Sequence, residues 1–185
     1  MGNFFLVASD VHSGVSAFEI LSERASDPGC LAFLYAGDID IDNYFIMEKL
    51  RTRSYTFIPV RGNCDRPWSW EDAGVPFPPV ERSVSLGGLN IWMSHGHLIC
   101  EPEAPEDSNY DIVITGHTHV TSLRKTGSTV YLNPGSASRP RGRSCASYAT
   151  IEFLPDVNGK KTLSITTRVL ESAGIIENLV VSLDK

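Results

Sequence analysis

Phe4-Phe5-Leu6-Val7-Ala8-Ser9-Asp10-Val11-His12 carries a run of apolar residues straight into a carboxylate and an imidazole. An unbroken apolar run of this length reads as a strand buried on both faces, the kind found in parallel sheets, and the polar residues beyond it as the loop it delivers. Apolar residues at Val15, Phe18, Ile20, Leu21 and Ala25 then predict a helix closed by Asp27-Pro28-Gly29. The pattern returns twice. Residues 31–36 end in Gly37-Asp38 and precede a helical candidate over 44–51, and residues 56–60 end in Arg61-Gly62-Asn63-Cys64-Asp65. Strands linked through helices lie parallel and deliver their C-terminal loops to one edge of the sheet.

From residue 83 the texture changes. Ser83-Val84-Ser85-Leu86, the turn Gly87-Gly88 and residues 89–94 read as a hairpin, and further strands are predicted over 111–115, 123–125, 129–133, 147–153 and 162–170. Helix-linked strands followed by hairpins predict an α/β chain of two sheets packed as a sandwich, with helices on the outer faces. Residues 65–79, with Trp68, Trp70, Phe77 and several prolines, read as an ordered irregular loop. Residues 101–109 read as an acidic, proline-bearing loop, and the tail from Ser172 suits either a helix or a strand. With no repeat, low-complexity tract or linker, residues 1–185 are expected to form one domain.

A chain of 185 residues, 42% hydrophobic and 21% charged, is long enough to bury a full core without covalent staples. Its formal net charge is −6 and its basic residues are scattered, with only Arg139, Arg141 and Arg143 close together. Binding to duplex nucleic acid draws on clustered cations, so a nucleic-acid partner is not expected; a small phosphorylated substrate meets no such objection. Cys30, Cys64, Cys100 and Cys145 form no CxxC pair, which fits a reducing cytoplasm. The N-terminus lacks a basic lead and no apolar run reaches membrane-spanning length, so a soluble, cytoplasmic protein is expected.

All five histidines, His12, His95, His97, His117 and His119, fall in short polar segments directly after apolar strand candidates. In Asp10-Val11-His12 and His117-Thr118-His119 an extended i,i+2 spacing would point both side chains of a pair to one side, so that oxygen and nitrogen donors converge on a cation. A single such pair is more often a cap or a hydrogen-bonded core histidine; two at strand ends favour a metal site. Gly37-Asp38 and Gly62-Asn63 each put an oxygen donor beside a glycine that permits close approach. Either dipeptide alone is ordinary turn chemistry, and its weight comes from the company it keeps.

The order Asp10-Val11-His12, Gly37-Asp38, Gly62-Asn63-Cys64-Asp65, His95-Gly96-His97 and Gly116-His117-Thr118-His119 resembles the calcineurin-like metallophosphoesterase superfamily, over about residues 4–153. The short chain and Asn133-Pro134-Gly135-Ser136 look like its compact bacterial and archaeal phosphodiesterase branch. The resemblance implies a four-layer αββα fold and two metal ions: Asp10, His12 and His119 on the first, Asn63, His95 and His117 on the second, and Asp38 bridging both. The residues alone support this donor set but do not divide it between ions.

Two divalent ions against two carboxylates leave a net positive site. Such a site binds phosphate oxygens, lowers the pKa of a bridging water so that hydroxide exists near neutral pH, and needs no nucleophilic side chain. Oxygen and nitrogen donors without thiolate suit Mn, Fe, Co, Ni or Zn better than Mg or Ca, and the resemblance favours manganese. Asp38, Asn63 and His97 are the expected catalytic residues, His97 because it stands two residues from a ligand and within reach of substrate or leaving group; its plainer role is a structural hydrogen bond.

Cys64 departs from relatives that carry a histidine there to protonate the leaving oxygen. A thiol is a poor substitute near neutral pH, so phosphodiesters, or esters with good leaving groups, are the expected substrates, and Cys64 itself reads as a small inert filler or else as a redox- or metal-sensitive thiol. Asp65 is expected to orient a ligand or His95, or to serve as a turn residue. Arg139 and Arg141, with Arg143, read as a solvated loop that could offer planar donors to a phosphate, and Trp68 and Trp70 as pocket walls or packing. The resemblance also implies that the loop between His97 and Asp111 is shorter and more acidic than the helix-bearing segment usual in relatives. Three rivals stand beside this reading: a non-catalytic interaction scaffold like the endosomal-coat subunit of the same branch, a nuclease, and a nucleotide or metabolite phosphatase. Exposed hairpin edges suit a homodimer.

Overall fold

A computed structural model describes residues 2–98, 110–157 and 160–183. The chain begins as read: β1 (Phe4–Ala8), α1 (Val15–Ala25), β2 (Cys30–Ala36), α2 (Tyr44–Arg51) and β3 (Phe57–Val60) make two parallel crossovers, β1 beside β2 and β2 beside β3. Side chains alternate across β1 and β2. Phe5, Val7, Ala32 and Leu34 enter the core between the sheets, while Leu6, Ala8, Phe33 and Tyr35 meet the helices. This two-sided burial is why the sequence shows unbroken apolar runs. α1 answers with Ala17, Phe18, Leu21 and Ala25, and α2 with Ile46 and Leu50, each set at helical spacing. The Asn43 side chain caps α2 by accepting from the Phe45 N–H at 2.8 Å.

Residues read as an irregular loop hold a short helix, α3 (Pro67–Asp72), with proline at its start, where a missing N–H costs nothing. The hairpin follows as β4 (Glu81–Leu86) and β5 (Leu89–Ser94), then β6 (Ile112–Ile114), β7 (Thr121–Thr126) and β8 (Thr129–Pro134). β9 (Ser147–Val157) runs on past the reading through Pro155-Asp156, which mimics a turn, and β10 (Lys160–Val169) begins two residues earlier than read. The tail left open is a strand, β11 (Ile175–Leu183), antiparallel to β10.

The strands form two mixed sheets, β11-β10-β9-β1-β2-β3 and β4-β5-β6-β8-β7, packed face to face. The three helices of the described residues all cover the outer face of the six-stranded sheet. The acidic 101–109 loop lies outside the described residues, as does Cys100; Cys30, Cys64 and Cys145 are unbridged. Among the described residues no helix is long and apolar enough to cross a membrane.

β1, β2 and β3 run parallel in one sheet, and β5, β6 and β8 run parallel in the other. Their C-terminal loops carry every segment singled out above.

Candidate metal centre

Two loops of the six-stranded sheet, those after β1 and β2, are laced to one another before any side chain is considered. The N–H groups of Asp10, His12 and Ser13 donate to the carbonyls of Gly37, Asp38 and Ile39 at 3.0–3.1 Å. A Cβ on Gly62 would collide with the Asp38 carboxylate, and one on Gly37 would meet the His95 ring at 2.7–2.8 Å, so both positions exclude any larger residue. The glycine reading of these two turns is therefore met.

Asp10, His12, Asp38, His95 and His119 converge. His119 Nε2 stands 3.1 Å from Asp10 Oδ1 and 3.2 Å from His12 Nε2, while His12 Nε2 stands 3.6 Å from Asp10 Oδ1. Asp38 Oδ2 lies 3.2 Å from His95 Nε2 and 3.8 Å from His12 Nε2, between the two groups. Asp10, His12 and His119 form one cluster of potential ligands, and Asp10, Asp38 and His95 another. His117 is half-buried, its ring centroid 5.1 Å from that of His95, and His97 sits farther out, 5.4 Å from His95 and 6.4 Å from His117.

Convergence was expected; its backbone was not. Asp10, His12, Asp38, His117 and His119 adopt left-handed conformations, with φ between +44° and +66°, instead of the extended geometry inferred from the i,i+2 spacing. For residues with a Cβ this conformation costs roughly 1–2 kcal/mol each, and its concentration here is the pattern of a built site.

The second nitrogens of His95 and His119 are committed. His95 Nδ1 meets the Ala36 carbonyl at 2.7 Å and His119 Nδ1 the Arg139 carbonyl at 2.5 Å. Carbonyls only accept, so each Nδ1 carries the proton and each Nε2 presents a lone pair inward. Asp10 Oδ2 is held by the Ser9 hydroxyl at 2.6 Å and the His117 N–H at 3.0 Å, and Asp38 Oδ1 by the Cys64 N–H at 2.7 Å. What remains is Asp10 Oδ1 and His95 Nε2, both buried and without a hydrogen-bond partner. Buried polar atoms are seldom left so. A cation between them fits both the orphaned atoms and the oxygen–nitrogen donor set.

The same proximity sets the charges. Burial alone would raise the Asp38 carboxyl, but the His95 imidazole 3.2 Å away and the hydrogen bond from the Cys64 N–H outweigh it and hold the group far below the usual carboxylate range. Burial likewise works against protonated His95, yet its contacts with Asp38 and Asp10 carry it upward. His97 and His117 are lowered by burial and by the charge of His95.

Other predicted residues stand less centrally. Asn63 is exposed, its side-chain amide donating to Cys64 Sγ at 3.3 Å. Cys64 belongs to neither apolar core, unlike Cys30, which packs against the helix-side core; its neighbours are a carboxylate, an imidazole and an amide, which does not match an apolar filler. Burial, then the charge of Asp38, push its thiol up to about 11. Asp65 does not reach His95; it accepts from the N–H groups of Asp38, Ile39, Asp40 and Gly62 at 2.8–3.0 Å. Arg139 and Arg141 are exposed, but their loop grips His119 and His12. The Arg141 N–H donates to the His119 carbonyl at 3.1 Å, and the Arg139 guanidinium to the His12 carbonyl at 3.3 Å. Trp70 is buried and stacks on Phe57 at 6.3 Å between centroids, whereas Trp68 is exposed.

Sequence reasoning missed the supports. Ser136 Oγ donates to the Asp10 carbonyl at 2.7 Å, Ser138 Oγ to that of Val11 at 2.5 Å, and Asn133 Nδ2 to that of Gly116 at 2.7 Å. Asn133-Pro134-Gly135-Ser136, noted only as a branch marker, is thus a buttress beneath the loops that carry His12 and His117–His119.

A model of the calcineurin-like phosphoesterase superfamily domain matches residues 4–155. Phosphodiesterase YfcE of Escherichia coli (strain K12) is 28% identical over 158 residues, 80% of this chain and 86% of that one. The solved structure of the E. coli phosphoesterase YfcE superposes with a TM-score of 0.78 at 26% identity, covering 95% of this chain and 98% of its own. Vacuolar protein sorting 29 from Cryptosporidium parvum shares the fold, with a TM-score of 0.67 at 20% identity over 100% of this chain and 99% of that one.

Proposed function

The chain belongs to the calcineurin-like phosphoesterase superfamily, and from that premise we propose that it is a phosphodiesterase working with two divalent ions, manganese in its native state. Asp10, His12 and His119 would hold one ion and Asn63, His95 and His117 the other, with Asp38 available to both. When bound, such a pair would supply a water acidic enough to attack at neutral pH, and positive charge for the oxygens of the phosphoryl group.

The chain's own residues do the rest. His95 and His119, fixed through Nδ1, keep their Nε2 lone pairs aimed inward without reorientation. Asn63, exposed, and His97, half-buried, stand on the open side, where an ester and its leaving group enter. The Cys64 thiol, pushed up to about 11, is a weak proton donor at neutral pH, so esters whose leaving group departs without a proton are favoured. The substrate is a small phosphorylated molecule and not duplex nucleic acid, given the net charge of −6. The full chain acts as one cytoplasmic domain, and β11, an edge strand with exposed Ile175 and Val180, suits pairing with a second copy.

The observation that carries the reading is the pair of buried, unpartnered atoms Asp10 Oδ1 and His95 Nε2, 3.9 Å apart. A scaffold would gain nothing from burying them. The test is metal analysis of the purified chain with a screen of mono- and diesters. We expect about two ions per chain, faster hydrolysis of an aryl diester than of an alkyl monoester, and a loss of about 10²–10³-fold or more in Asp38→Ala. A metal-free chain, or equal rates on alkyl monoesters, would refute it.

A further inference from the structure

Cys64 Sγ, a ring nitrogen of His12 and a carboxylate oxygen of Asp38 all lie within 4.8 Å of one another, a third grouping that overlaps the two already described. Two of its members are deeply buried, His12 at 7% and Asp38 at 2% exposure, and the unpartnered Asp10 Oδ1 stands beside one of them, 3.6 Å from His12 Nε2. Cys64 is fixed from both sides: its N–H donates to Asp38 Oδ1 at 2.7 Å and the Asn63 amide meets its sulfur at 3.3 Å.

We propose that Cys64 is a conditional ligand of the centre, a thiolate position that thiophilic cations such as Cd²⁺, Zn²⁺ or Co²⁺ take up together with His12 and Asp38 and that Mn²⁺ leaves alone. The proposal rests on the metal-centre reading above and extends it to metal choice. Softness of the donor decides the outcome: thiolate binds soft and borderline ions strongly, while hard ions remain with carboxylate and imidazole. On binding, the S–H bond breaks, its proton passes to solvent and a sulfur–metal bond forms, with no change of oxidation state. The sulfur then ties the 61–65 loop to the His12 loop and closes the side on which Asn63 stands. Hydrolysis supported by Cd²⁺ is therefore slower than hydrolysis supported by Mn²⁺.

The test uses the reduced, metal-stripped full chain titrated with Cd²⁺, reading the ultraviolet sulfur-to-cadmium charge-transfer band and the binding affinity in the wild type and in Cys64→Ser. The other three cysteines are common to both proteins and cancel in the difference. Loss of one thiolate's absorbance in Cys64→Ser, with Cd²⁺ bound at least about 10–100-fold more weakly, is the expected result, since even an outer contact to a metal ligand is worth that much. Identical bands and affinities in the two proteins overturn the assignment. Should Cys64→Ser fail to fold, X-ray absorption of the wild type with one equivalent of Cd²⁺ decides the point: sulfur in the cadmium shell supports it, an all nitrogen–oxygen shell refutes it. No substrate enters either measurement, so failure here and failure of the Mn²⁺-dependent diesterase assay are separately visible.

Discussion

Four backbone N–H groups, those of Asp38, Ile39, Asp40 and Gly62, converge on the Asp65 carboxylate at 2.8–3.0 Å. A left-handed Asp38 turns its N–H away from the strand ladder, and Asp65 collects it. Asp65→Ala strands most of these donors in a buried setting, so a loss of stability on the order of 3 kcal/mol or more is expected. Urea denaturation of the metal-free protein measures it, and Asp65→Asn, which keeps the shape and one strong acceptor, should fall between the variant and the wild type. The residue was legible as something near the site, but not its target, because the sequence does not show which backbone groups a loop leaves unpaired. Ser9, Ser136 and Asn133 were invisible for the same reason: a serine bonded to a distant carbonyl leaves no trace in spacing. The left-handed backbone of the five proposed ligands escaped notice because an L-residue with a Cβ is assigned extended or right-handed geometry by default.

At the scale of elements, the sequence yielded what burial imprints on it. β1 and β2 are covered on both faces and read as continuous apolar runs, while α1 and α2 are covered on one and read at helical spacing. α3 has six residues, too few for a period to show, and its tryptophans pull in different directions. Trp70 is fully buried against Phe57 and Trp68 is 63% exposed. Trp70→Ala is therefore expected to cost about 3–5 kcal/mol, and Trp68→Ala no more than about 0.5 kcal/mol. Chemical unfolding of the two variants separates them, and equal losses would show that α3 is not anchored as described. β11 hid for a different reason: Leu179, Val181 and Leu183 pack on the core, but the first half of the strand lies largely exposed, so its alternation is half missing.

Over the whole molecule, each proposed ion draws ligands from both sheets. Asp10, His12, Asp38 and Asn63 stand on loops of the six-stranded sheet, and His95, His117 and His119 on loops of the five-stranded one. A cation held only by the folded chain adds its binding free energy to stability, about 2.7 kcal/mol at a concentration a hundredfold above Kd. Chelation should therefore lower Tm by roughly 5–10 °C for a chain of this size, read by differential scanning fluorimetry with and without Mn²⁺; an unchanged Tm would argue against a resident ion. The loop of chain closed between His12 and His119 spans five strands, β2 to β6. Under load the two halves of the molecule would then part like a hinge with one rivet: a pull prising the sheets apart at the β4–β5 turn meets apolar packing and one hydrogen bond, from Lys161 Nζ to the Gly87 carbonyl at 2.6 Å, whereas the same pull at the loop edge must break the proposed coordination bonds first.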